Sequence, residues 1–146
     1  MIPANDVAGN LPPGIHWASW SEISARFGST VWRRSLLAGL RAALTDLKAA
    51  GCKTVYLNGS FVTGKDVPGD FDGCWEPGGV DPDLLDPTLL DFDNKRKKQK
   101  ARYLGELFIS SMQADGVGNT FLEFFQIDKY TGDPKGIIAI DLGPFS

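Results

Sequence analysis

The chain has 146 residues, 42% hydrophobic and 23% charged, with a formal net charge of −3. That length suffices for one domain with its own core, and no apolar run approaches the roughly 18–20 residues of a membrane-spanning helix. The mild acidity argues against a general nucleic-acid binder, whose affinity rests on neutralising phosphates.

The opening "MIPANDVAGNLPPG" has neither a basic start nor an apolar stretch, so it does not read as a secretory signal. Cys52 and Cys74 fit no zinc spacing and read as reduced core thiols of a cytoplasmic protein. Residues 1–14 are expected to form an extended arm on a single domain, because Pro12-Pro13-Gly14 cannot continue a helix. "SWSEISARFG" then offers a capping box, Ser19 with Glu22, and a glycine stop at Gly28. From Val31 to Ala50, Leu36, Leu37, Leu40, Leu44 and Leu47 recur at helical spacing, with Arg33, Arg34, Arg41, Asp46 and Lys48 mostly on the other side.

"TVYLN" predicts a strand that ends at Gly59. "DFDGCWE" alternates, which predicts a second strand with Asp70, Asp72 and Cys74 on one face and Phe71 and Trp75 on the core side. Residues 77–94, rich in Pro and Asp, read as loop with a short helical turn. A helix is expected from Asn94 to Gln113, with Tyr103, Leu104, Leu107, Phe108 and Ser111 inward and Gly105 as a weak point. "TFLEFFQID" and "IIAIDL" are expected as two strands of a hairpin. The order α-α-β-β-α-β-β describes an α+β domain, a small mixed sheet with helices packed against it.

The chemistry concentrates in "TVYLNGSFVTGKDVPGDFDGCWE", residues 54–76. Carboxylates at i and i+2 of a strand share a face, and at about 6 Å they repel by roughly 2.8 kcal/mol at an effective dielectric near 20. A divalent cation compensates that repulsion, and Mg²⁺ takes hard oxygen ligands together with substrate phosphates. Gly59-Ser60 supplies a turn where the backbone approaches a ligand closely and where N–H groups and a hydroxyl suit a phosphate.

A hydrophobic strand, Gly59-Ser60, nine residues, then Asp70-Phe71-Asp72 resembles the nucleotidyltransferase superfamily of the DNA polymerase beta type. Within it, the chain is most similar to small bacterial nucleotidyltransferase-like proteins, including the minimal nucleotidyltransferases that act as antitoxins. The spacing is one residue shorter than usual there, and the likeness runs through residues 31–76, more loosely beyond. The resemblance implies a nucleotidyltransferase-like palm that binds ATP or another nucleoside triphosphate with Mg²⁺ and moves a nucleotide to an acceptor hydroxyl, on a partner toxin in the antitoxin branch. It implies metal-binding and catalytic roles for Asp70 and Asp72, and nucleotide binding for Gly59 and Ser60. A third carboxylate is expected on a later strand between hydrophobic residues, with Glu123 in "FLEFF" favoured over Asp141 in "AIDLG". The same fold used without catalysis, as a binding module covering a partner, is the second expectation.

Lys65, in the connecting loop, is a candidate phosphate contact. "KRKKQKAR", 95–102, holds six of the fifteen basic residues and follows five aspartates in 81–93, so the two blocks are expected to neutralise each other in part. Lys135 is accounted for by a turn before Gly136, and His16, the only histidine, builds no catalytic triad.

Overall fold

Alternating side chains give the sheet two different interiors. The computed structural model describes residues 2–65 and 67–146, and its strands are β1 (Gly14–Trp17), β2 (Thr54–Asn58), β3 (Phe71–Trp75), β4 (Gly105–Ile109) and β5 (Gly136–Asp141). They form one mixed sheet in the order β1-β5-β2-β3-β4. Within it β1 is parallel to β5, β5 antiparallel to β2, β2 antiparallel to β3, and β3 parallel to β4. Val55, Leu57, Phe71, Trp75, Leu107, Ile138 and Ile140 point into the main core. Their neighbours Tyr56, Cys74, Ile137 and Ala139 face a smaller cluster on the opposite side.

Helices α1 (Trp20–Phe27) and α2 (Val31–Ala49) contribute to the main core. The capping box of Ser19 and Glu22 starts α1 as its sequence predicts, and Gly28 closes it. In α2, Leu36, Leu40, Leu44 and Leu47 are fully buried, as their spacing requires. Arg33 departs from that pattern: only 3% of its surface is exposed. The arm joins the fold more closely than expected. It ends in β1, and the Leu11 carbonyl accepts the Gly136 N–H at 3.0 Å.

The expected helix over 94–113 divides in two. Helix α3 (Asp93–Tyr103) stops at Leu104, which takes a left-handed conformation (φ 65°), and β4 begins at once at Gly105. A Cβ at Gly105 would sit 2.4 Å from the Phe71 ring, so this strand start is closed to any side chain. "TFLEFFQID" is no strand either. It carries the short helix α4 (Phe121–Phe124), capped by Thr120, and the final β5 lies between β1 and β2 instead of pairing in a hairpin. Residues 87–90 form the single short turn of 3₁₀ helix expected within the Pro- and Asp-rich loop.

β4 is an edge strand, and α3 covers it through one fully buried polar side chain. Gln99 accepts the Leu107 N–H at 2.8 Å and donates to the Asp91 carbonyl at 3.3 Å. Gln99→Leu keeps the volume but leaves both backbone groups unpaired, and is expected to cost about 1–3 kcal/mol in urea denaturation.

Candidate functional site

The site is a consequence of strand register. Asn58 on β2 pairs with Asp72 on β3, and Asp72 pairs with Glu106 on β4. Three polar side chains therefore stand in one row across three strands, on the face opposite Leu57 and Leu107. In the next row Tyr56, Cys74 and Phe108 fill the smaller cluster. Asp70, immediately before β3, joins from the same side. Carboxylate oxygens of Asp70, Asp72 and Glu106 lie within 4.8 Å of one another.

Glu106 is the third carboxylate, and Glu123 is not. Glu123 is exposed and closes a capping box with Thr120, accepting the Thr120 N–H at 2.9 Å while its own N–H is held by the Thr120 hydroxyl at 3.2 Å. Asp141 stands at the far end of β5 and accepts the Gly143 N–H at 2.9 Å. Of the residues expected at the site, Asp70 and Asp72 are there, and Gly59, Ser60 and Lys65 line the same cleft, whose volume is about 770 Å³. Gly59 has φ 80°, and a Cβ added to it would meet Asp72 Oδ2 at 2.6 Å. The turn is thus in contact with the carboxylates, and only glycine fits there. Phe108 and Phe121, stacked at 4.2 Å, form an apolar wall, and Lys135 lines the cleft as well.

Burial, then the Asp70 charge and the carboxyl of Glu106, push the Asp72 pKa up to about 8, with Lys100 opposing. Asp70 is raised too, by burial first and by Glu106 second. Lys135 is lowered by its own burial, against the pull of Asp128 and Asp72. Two residues of the basic run supply counter-charge: Arg96 Nε donates to Glu106 Oε2 at 2.7 Å, and Lys100 Nζ lies 3.6 Å from the same oxygen. Arg96 reaches it from a left-handed turn, Asn94–Lys95–Arg96, with φ of 50°, 57° and 60°. Other members of the run pair with the upstream aspartates, Lys98 with Asp91 at 3.3 Å and Arg102 with Asp86 at 2.9 Å.

The residues present fit a divalent cation. All donors are hard oxygens, and their mutual separation of up to 4.8 Å is spanned by two Ca²⁺–oxygen distances of about 2.3–2.6 Å, while the about 2.0–2.1 Å of Mg²⁺ asks the carboxylates to draw slightly closer. Asn58, 8% exposed and lining the cleft beside Asp72, also has a buried Oδ1 without a hydrogen-bond partner. Buried polar atoms in native proteins are rarely left so.

Fold and site together define an α+β domain with a cleft of mixed charge, and a cluster of three carboxylates, on one face of its sheet. The chain belongs to a family of unknown function (DUF6932), whose family model matches residues 3–141. No curated protein and no solved structure matches the chain. No helix among the described residues is long and apolar enough to cross a membrane.

The raised Asp72 pKa sets a sign for two pH effects. Between the ordinary value of 3.8 and about 8, the folded protein keeps a proton that the unfolded chain has lost. Metal-free stability is then full below that window and falls as pH rises through it, by up to about 1.4 kcal/mol per unit for one proton. Cation binding must expel the proton, so Mn²⁺ affinity is expected to rise between pH 6 and 8 by up to about tenfold per unit. Asp72→Asn should abolish that rise in calorimetric titrations and stabilise the metal-free protein at pH 8. Gly59→Ala, strained at its φ and pressed against Asp72, is expected to lower the melting temperature and weaken Mn²⁺ binding together.

Proposed function

We propose that this protein is a cytoplasmic Mg²⁺-dependent nucleotidyltransferase that moves a nucleotide from a nucleoside triphosphate to an acceptor hydroxyl. The observation that carries the reading is the meeting of Asp70, Asp72 and Glu106 within 4.8 Å of one another, with Gly59 of the Gly-Ser turn against Asp72. A third carboxylate on a later strand is what the resemblance to the polymerase-beta type implies, and Glu106 supports it with a hydrophobic neighbour on one side, Leu107, and glycine on the other.

Asp70, Asp72 and Glu106 would hold the cation, which supplies charge stabilisation for the phosphates. The Ser60 hydroxyl and the backbone of the Gly59-Ser60 turn receive the polyphosphate, and Lys135 adds a positive charge across the cleft. In the transfer, the acceptor oxygen bonds to the α-phosphorus as the bond to pyrophosphate breaks. The acceptor's proton passes to a carboxylate oxygen of the cluster that the cation would leave free. Positioning and charge do most of the work. The cleft faces outward, which suits an acceptor delivered by a partner, and in the antitoxin branch of the resembled family that partner is a toxin protein.

One observation favours a second reading, a non-catalytic antitoxin or adaptor of the same fold. Arg96 and Lys100 already neutralise Glu106 from within, as fixed counterions in a binding scaffold would. Calorimetry with ATP or CTP and Mg²⁺, paired with α-phosphate-labelled nucleotide, separates the two. The enzyme reading expects saturable binding, label transfer to a hydroxyl acceptor, and a loss of at least about 100-fold in transfer for Asp72→Asn and for Glu106→Gln. Absence of nucleotide binding, with any partner capture indifferent to Asp72→Ala, would leave the scaffold reading alone.

A further inference from the structure

Arg33 has no place in the proposed chemistry, yet it is the most deeply buried cation in the described residues. Each of its three nitrogens is committed to the backbone. Nη1 donates to the Phe61 carbonyl at 2.8 Å and to the Phe27 carbonyl at 3.2 Å. Nη2 donates to the Thr63 carbonyl at 3.0 Å, and Nε to the Lys65 carbonyl at 3.1 Å. Its guanidinium also lies 5.4 Å from the centre of the buried Phe61 ring. The neighbouring Trp32 donates its indole N–H to the Pro68 carbonyl at 2.6 Å.

Apart from Phe27, at the end of α1, these acceptors are not scattered. Residues 61, 63, 65 and 68 all belong to the stretch that runs from the Gly59-Ser60 turn to Asp70. Its described residues make one 3₁₀ turn, Ser60–Val62, and no further regular element before β3. A loop of that kind is normally the most adaptable part of a site. Here the carbonyls of Phe61, Thr63 and Lys65 are drawn to one rigid planar fork, which leaves the Gly64 N–H, across the trans peptide from Thr63, turned to the opposite side. The fork itself is anchored in the first turn of α2, where the Thr30 hydroxyl caps the Arg33 N–H at 3.0 Å.

We infer that the first turn of α2, through Arg33 and Trp32, is the positioning element that holds the Gly59–Gly69 segment as a preformed cradle for the polyphosphate of a nucleotide. The inference rests on the nucleotide-binding reading of the cleft. Arg33 and Trp32 themselves act through the loop backbone.

The test compares the full-length protein with Arg33→Lys, which keeps the charge but loses the planar fork, and with Trp32→Phe, which removes only the Pro68 contact. Three quantities are read for each: Mn²⁺ affinity, Mg²⁺-ATP affinity and amide hydrogen exchange. Arg33→Lys is expected to hold Mn²⁺ within about twofold, to lose about tenfold or more in ATP affinity, and to exchange faster only across 59–69. Trp32→Phe should accelerate exchange near Pro68 and weaken ATP by about two- to threefold, and it gives the comparison if the arginine variant does not fold. A parallel loss of Mn²⁺ and ATP binding with faster exchange across the whole sheet would reduce the turn to a general stability element and overturn the inference. Unchanged loop exchange would overturn it too. If the wild-type protein binds no ATP, the nucleotidyltransferase reading and the cradle's proposed ligand fall together. Exchange confined to 59–69 in Arg33→Lys would still establish the clamp.

Discussion

The pairing of β3 with β4 is the constraint on which the site depends. It sets Asp72 beside Glu106 and continues the row that Asn58 opens on β2. The pairing is parallel, so the chain must leave one end of β3 and return to the other by a long crossover. That crossover is the segment 76–104, and it holds both the aspartate-rich loop and the basic run. The same stretch that delivers Glu106 therefore delivers Arg96 and Lys100, its counter-charges. Gln99 ties the crossover helix to the outer edge of β4 and secures the register from the side that lacks a neighbouring strand.

The charge balance of the cleft follows from this arrangement. Three carboxylates at close range on a half-buried face are unstable as three full charges. The structure relieves them twice, by a proton held on Asp72 and by two cations from α3. Both forms of relief are exchangeable in principle, since a proton can leave and the half-buried Lys100 can swing away. Arg96 is the firmer of the two cations, because a left-handed turn and the Phe108 ring, 5.3 Å from its guanidinium, hold it over Glu106. A ligand-binding function and a purely structural one make different demands on that arginine, which is why the Arg96–Glu106 pair is the feature that keeps the scaffold reading alive.

Much of the fold was legible where short-range rules dominate. The leucine spacing of α2, the β-branched and aromatic residues of β2, the alternation of β3, and the Ser19 box each depend on neighbours within a few residues. The Asp70–Asp72 face was legible for the same reason. Glu106 was not, because "KRKKQKARYLGELFIS" is consistent with continuous helix until Leu104 takes a left-handed conformation. That break is dictated by packing: Gly105 must lie against Phe71, a contact between residues 34 positions apart. The signal against Glu123 was present. "TFLE" is the same capping box that marks Ser19, and its reading as a strand gave hydrophobic content priority over the N-cap pattern. Arg33 was hidden for another reason. Helical spacing places it near the polar side of α2, and nothing local shows that a loop thirty residues later will bring carbonyls to it.

Two of these misplacements, Glu106 and Arg33, share a cause that bears on the function. Each role is set by the segment between Gly59 and Glu106, whose loops are held by side chains reaching across to them. Arg33 and Trp32 hold its first part from α2, and Gln99 and the basic run hold its last part from α3. In a sheet buried on both faces, the cleft is the place where this irregular chain crosses the end of β2 and β3. A structural purpose alone would be met by apolar residues there, as it is one row away at Tyr56, Cys74 and Phe108. The fold instead keeps three carboxylates, an unpartnered amide oxygen and a glycine that no other residue can replace. That expense of stability in one small area supports the proposed binding role over a purely structural one.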